Sequence, residues 1–110
     1  MPSVVVNTST DGTQLVAAPA AGCFIRVNGL DLTAAGGAVV VGLKSNNTTT
    51  IWTTEAMNAT GANGIVLNVD KHRTIDCNPG ESLNLGLSAA VTVQGTIEYT
   101  VLGRQIVNQA

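Results

Sequence analysis

The sequence predicts an all-β fold: a single-domain antiparallel β-sandwich, jelly-roll-like, of about eight or nine short strands. Three observations carry this. First, Val91, Val93, Gly95, Ile97, Tyr99 and Val101 alternate with Thr92, Gln94, Thr96, Glu98 and Thr100 without a slip, which is the period of two of a long strand with one wet face. Second, turn signals recur about every ten residues, the spacing of sandwich strands. Third, the composition is poor for helices: only 11% of residues are charged, 12 are glycine, and Thr, Asn and Ser stand where Glu and Lys would fill a helix. A chain of 110 residues is one domain and can bury about two-thirds of its unfolded surface.

Taken in order, residues 1–13 read as an N-terminal arm: a short apolar patch at Val4-Val5-Val6, then turn-forming residues from Asn7 to Thr13. Residues 14–102 make the sandwich domain and 103–110 a C-terminal tail. Gln14 to Ala17 is a short strand, stopped at Ala18-Pro19-Ala20-Ala21-Gly22. From Cys23 to Leu32 runs a longer strand in which Cys23, Ile25 and Val27 share a face, opposite Phe24, Arg26 and Asn28. The apolar set then changes parity to Leu30 and Leu32 across Gly29, the signature of a β-bulge. Thr33 to Gly37 is a turn, Ala38 to Lys44 a strand, and Ser45 to Thr50 a polar loop.

Ile51-Trp52-Thr53-Thr54 begins another strand, and residues 55–60 are the one stretch where a short helical turn could form. Asn63-Gly64 is a hairpin signal before a strand from Ile65 to Val69; Asp70 to Arg73 is a charged loop. Thr74 to Cys77 is short and extended, closed by Asn78-Pro79-Gly80, where Pro fixes φ and Gly supplies φ > 0. Leu83, Leu85 and Leu87 resume the alternation, and the Ser88-Ala89-Ala90 corner is expected to fold this half onto 91–101 as a hairpin. A Leu-x-Leu-[Ser/Thr]-Ala-Ala form occurs at 30–35 and again at 85–90, which reads as similar geometry in a two-sheet fold rather than as a true repeat.

The charge pattern narrows the function. With 5 Lys and Arg in all and a formal net charge of -2, the chain has no basic stripe, which excludes a nucleic-acid footprint. It also has little electrostatic protection against self-association, so its surface suits either quiet solvation or coverage by copies of itself or a larger assembly. No apolar run approaches a membrane span, and Val4-Val5-Val6 is too short for a signal-peptide core, so residence in a cytosol is expected. Cys23 and Cys77 then read as buried thiols rather than a disulfide.

Catalytic chemistry finds little footing. His72 is the single histidine; a pairing with Cys77 or Cys23 is conceivable, but a lone His between Lys71 and Arg73 reads as a solvated loop residue. Asp70, His72, Asp76 and Cys77 match no zinc or calcium spacing. There is no Gly-x-Ser-x-Gly, no phosphate-binding glycine loop and no evident carboxylate pair. No catalytic, cofactor-binding or metal residue is assigned, and the protein is expected not to be an enzyme. Asn-x-[Ser/Thr] sequons at Asn7, Asn46, Asn47 and Asn58 are expected by chance in a chain this rich in Asn and Thr. Trp52, Phe24 and Tyr99 are the aromatics available for a sugar platform, with Tyr99 on the core side of its strand.

The run Arg26-Val27-Asn28-Gly29-Leu30-Asp31-Leu32-Thr33-Ala34, then Val39 to Ser45, Asn63 to Leu67, and above all Gly80-Glu81-Ser82-Leu83-Asn84-Leu85-x-Leu87-Ser88-Ala89-Ala90-Val91, resembles the small capsid decoration or cement proteins of tailed bacteriophages. The likeness covers roughly residues 23–102. It implies a virion structural protein, made in the host cytoplasm, that sits on the capsid exterior. There it would bind the major capsid protein lattice as a homo-oligomer, a homotrimer by preference, without cofactor, nucleic acid or membrane. In such proteins the ends serve attachment, so Val4-Val5-Val6 or Ile106-Val107 is expected to pair along a neighbour's sheet edge. The alternative is a head-fibre or receptor- or glycan-binding β-sandwich module, which an exposed cluster of Trp52 and Phe24 would favour.

Overall fold

A computed structural model describes residues 2–35, 37–54, 64–68 and 74–103. Among them lie nine strands: β1 (Ser3–Thr8), β2 (Thr13–Val16), β3 (Cys23–Ala35), β4 (Val41–Ser45), β5 (Thr49–Thr53), β6 (Gly64–Asn68), the two-residue β7 (Ile75–Asp76), β8 (Leu83–Leu87) and β9 (Thr92–Gly103). One antiparallel sheet runs β1-β9-β3-β6 with β7 beside β3; the other runs β2-β8-β4-β5.

This order follows from a single ribbon. The two arms of the chain pair in nested fashion, β1 with β9, β2 with β8, β3 with β6 and β7, and β4 with β5. Rolling that ribbon brings β9 against β3 and β8 against β4, which closes it into two sheets. The result is the jelly roll that the alternation and turn spacing predict.

The core lies between the sheets and is aliphatic. Val6, Ile25, Val27, Leu30, Leu32, Val93 and Ile97 come from the first sheet, and Val41, Leu43, Leu83, Leu85 and Leu87 from the second. Trp52 and Tyr99 pack against this core without being fully buried. The parity change in β3 is a real bulge: Val27 faces Tyr99 and Gly29 faces Glu98, leaving Asn28 as the extra residue. It allows Ile25 and Val27 on one side of the bulge and Leu30 and Leu32 on the other to share one inward face. The turns obey their residues too. Asn46 and Asn47 hold φ of 55° and 58°, and the Thr48 amide donates to the Ser45 carbonyl at 3.1 Å, a type I′ turn of the kind that asparagines favour. At Asn78-Pro79-Gly80-Glu81 the Glu81 amide donates to the Asn78 carbonyl and Gly80 has φ 75°.

Three expectations need correction. Thr33 to Ala35 is not the start of a turn but the end of β3, still paired with Gln94 to Thr92, with Ala34 buried in the core. The Ser88-Ala89-Ala90 corner does not make a hairpin, because β8 belongs to one sheet and β9 to the other; it is an arch across the core, tied down where Val40 N–H donates to Ser88 Oγ at 2.8 Å. The N-terminal arm is, from Ser3 to Thr8, an edge strand of the first sheet paired with β9 from Ser3↔Glu98 to Thr8↔Val93. Val6 supplies the physical reason, since it is 1% exposed and fills the core beside β9. The short helical turn at 55–60, the loop 70–73 with His72, and the tail from 104 onward lie outside the described residues.

β9 sits between β1 and β3, and Gly95 is the tightest point of that packing. It has φ 150°, and a Cβ built there would lie 1.7 Å from the Asp31 carbonyl oxygen. Backbone cannot yield as a side-chain tip can, so Gly95→Ala is expected to cost about 3–5 kcal/mol of stability. Gly103→Ala, whose added Cβ meets nothing within 4 Å, is its control and should be near neutral. Urea denaturation of the two variants decides; a Gly95→Ala midpoint matching the control would contradict the close approach.

Candidate assembly interface

The outward rows of the two sheets are the surfaces available for recognition, and they differ. On the first sheet, Thr92, Gln94, Thr96 and Glu98 of β9 stand exposed beside Asp31 and Thr33 of β3 and Ser3, Val5 and Asn7 of β1. This is the polar face that the alternation in β9 predicts. It is stitched by short polar contacts rather than ion pairs: Asn28 Nδ2 donates to Thr100 Oγ1 at 2.6 Å, and Gln94 Nε2 donates to Asn7 Oδ1 at 3.4 Å. Among the described residues, the carboxylates of Asp31 and Glu98 are the only charges on this stretch of the face. Further along β3, Arg26 donates through Nε and a terminal nitrogen to both oxygens of Asp76, at 2.8 and 3.0 Å, and lies 5.4 Å from the Phe24 ring centre. The hydrogen bond to Asp76 pushes the Arg26 pKa up. This fork pins the two-residue β7 to β3, and because both side chains are about one-third exposed its contribution is on the order of 1 kcal/mol or less.

The outer face of the second sheet carries a shallow trough of about 220 Å³. Its floor is the register pair Gly42↔Gly86, where the absence of side chains on adjacent strands leaves a depression. The Lys44 stem lies over Gly86, so close that a Cβ there would come within 2.9 Å of its Cε; with Asn84 bonded to Ser82 and Gly12, this cover keeps the outward residues of β8 buried as well as those that face the core. Asp11 lines the rim and accepts a hydrogen bond from the Leu87 amide at 2.8 Å.

At one end of the sandwich is a polar knot around the buried Ser45, with Glu81 half-buried and Asn78 exposed. Ser45 Oγ donates to Glu81 Oε1 and accepts from the Asn78 amide at 2.9 Å, and Asn78 Nδ2 also reaches Glu81 Oε1 at 3.2 Å. Next to it Ser82 Oγ donates to Asn84 Oδ1, and Asn84 Nδ2 donates to the Gly12 carbonyl. Cys77 Sγ lies 3.7 Å from the Ser82 carbonyl. Burial pushes this thiol up to about 11; a hydrogen bond with Ser45 opposes the shift, and the Glu81 and Asp76 carboxylates add to it. A serine whose hydroxyl is committed on both sides and a thiol held protonated are structural groups, not nucleophiles.

Of the residues singled out in the sequence, Cys23 is half-buried, Cys77 is buried, and both are free thiols. Asp76 and Cys77 are adjacent, but Asp76 is taken by Arg26 and Thr74, and His72 and Asp70 lie outside the described residues. Among the described residues no three His, Cys, Asp or Glu side chains converge. Trp52 and Phe24 do not meet: Trp52 packs against the core from β5 of the second sheet, and Phe24 lies beneath Arg26 on the first. The role of Ser45 was missed, although its signal was present, since it continues the inward row of Val41 and Leu43. Comparison with family models, with curated proteins and with solved structures finds no match to this chain.

The Cys77 thiol gives a pH test. Folded, it keeps its proton to about pH 11, whereas its ordinary value is 9.0. Between those two the folded chain binds more protons than the unfolded one, so stability is full below pH 9 and falls as pH rises through the window. The urea midpoint of the unmodified protein should therefore drop more steeply from pH 9 to 11 than that of Cys77→Ala, and a thiol reagent at pH 8 should label Cys23 well before Cys77. Parallel slopes with equal labelling rates would refute the buried, protonated thiol.

Proposed function

We propose that this chain is a virion structural protein that binds the outer surface of a phage capsid and stabilises the head lattice, working by contact and not by catalysis. The observation that carries the reading is the exposed face of the first sheet, a broad patch of Thr, Gln, Asn and Ser in which, among the described residues, Asp31 and Glu98 are the only exposed charges. A face made mostly of hydroxyls and amides can be covered by another protein at lower desolvation cost than a charged one, with only the Asp31 and Glu98 carboxylates needing a partner or a place at the wet rim. The resemblance of residues 23–102 to decoration proteins supplies the identity of the surface that covers it. The rest of the molecule agrees. Its Cys77 thiol and Ser45 hydroxyl serve the fold, and among the described residues Asp11, Arg26, Lys44, Asp76 and Glu81 are engaged in local ties. Contacts of about 1,000 Å² repeated over a lattice would resist the outward pressure of packaged DNA through their number.

The experiment is to mix the purified protein with expanded capsids that lack it. Saturable binding and a higher temperature of capsid disruption are expected. Placing like charges on the patch with Gln94→Lys and Thr96→Lys should lower capsid affinity about tenfold or more, while leaving the unfolding free energy from urea denaturation within about 0.5 kcal/mol of the parent. Absence of saturable binding by the well-folded parent would overturn the reading.

A further inference from the structure

β1 is an edge of the first sheet among the described residues. Its register with β9 is regular from Ser3 to Thr8, and the Tyr99 amide donates to the Pro2 carbonyl at 3.0 Å, which fixes the alternation. Pro2, Val4, Val6 and Thr8 therefore turn their backbone groups toward β9, and Ser3, Val5 and Asn7 turn theirs outward. No partner is present for that outward row among the described residues. Native sheets blunt such an edge with charge, an internal proline, a bulge or brevity. The edges of the second sheet do so: β2 has four residues and a register shift at Gln14/Val16, and β5 pairs β4 across a shift at Leu43/Lys44. β1 has none of these, and Val5 is 76% exposed, one of two large hydrophobic side chains so exposed among the described residues.

We propose that two copies of this chain pair antiparallel through β1, about a two-fold axis at Val5, joining their first sheets into one continuous sheet. The sequence Ser3-Val4-Val5-Val6-Asn7 is self-complementary about that axis. Val5 meets Val5 of the second copy, exchanging N–H and C=O groups, and Ser3 meets Asn7. On the inner side half-buried Val4 lies beside Val6, so the contact extends the core as well as the ladder. No charge occurs from Pro2 to Thr10, and nothing repels across the axis. A second copy fits this edge because its outward residues answer one another: Val5 meets Val5, and Ser3 meets Asn7 at both ends, so the outward N–H and C=O groups of all three are paired. The pairing does not rest on capsid binding, and its mass and cross-linking readouts contain no capsid protein.

Light scattering at about 100 µM should give twice the chain mass for the parent and the chain mass for Val5→Lys and Val5→Pro. The proline removes only an outward N–H, a position where edge strands tolerate it, so both variants should keep the parent's circular dichroism; if either unfolds, the other decides. Register is read by cross-linking. Opposed residues of a hydrogen-bonded pair lie about 5.5 Å apart at Cα, within disulfide reach, so oxidised Val5→Cys should form a covalent dimer while Asn7→Cys, facing Ser3, should not. A monomeric parent, a mass that survives both folded Val5 variants, or cross-linking at Asn7 but not Val5 would overturn the proposal. So would a monomeric parent whose Val5→Lys variant loses capsid binding, since that assigns the edge to the capsid protein.

Discussion

β3 and β9 run antiparallel from Cys23↔Gly103 to Ala35↔Thr92, the longest pairing in the molecule, and the other strands take their places from it. β9 uses its second side for β1, and β3 uses its second side for β6 and β7. A ladder this long between two twisted strands must absorb twist somewhere. It does so at the Asn28 bulge and at Gly95, where the backbone of β3 passes so close that no side chain fits. Both devices keep Ile25, Val27, Leu30 and Leu32 pointed into the same core. The second sheet can then be short-stranded, because β8 and β4 need only lid an aliphatic layer already in place.

What could be read from the residues was whatever has a period or a forced dihedral. The parity change at Gly29 announced the bulge, and Asn78-Pro79-Gly80 announced its turn. Alternation in 91–101 gave the inner and outer rows of β9, although Val101 runs past the core and is 45% exposed. Periodicity assigns a face but not a sheet, and so the corner at 88–90 read as a hairpin when it is an arch. Three consecutive valines carry no alternation at all, which hid β1 as an arm. The polar knot of Ser45, Asn78 and Glu81 joins residues far apart in sequence, and only the fold brings them together.

The distribution of charge ties the fold to the proposed role. Arg26 and Asp76 fasten β7, Glu81 anchors the end of the sandwich, Asp11 holds the β8 backbone, and the Lys44 stem covers Gly86. Each does a local structural job next to the backbone it fixes. Apart from Asp31 and Glu98, the described face of the first sheet is mostly hydroxyls and amides, which hydrate well on a free chain yet give up that water at modest cost when a surface of matching groups arrives. A face built from Lys and Glu would be more soluble alone and far more expensive to cover.

An edge contact and a face contact also differ in what they demand. A strand pair such as the one proposed at β1 involves three outward residues on each side, so by itself it is a small interface of modest strength. On a lattice that holds neighbouring copies at fixed spacing, the second contact forms at high effective concentration, and weak pairing becomes sufficient. The geometry is strict, however. A two-fold edge joins copies in pairs, whereas a three-fold ring needs two different surfaces per subunit. A capsid-bound ring of three would then use the faces or other edges within itself and keep β1 for the contact between rings, turning separate caps into a connected net.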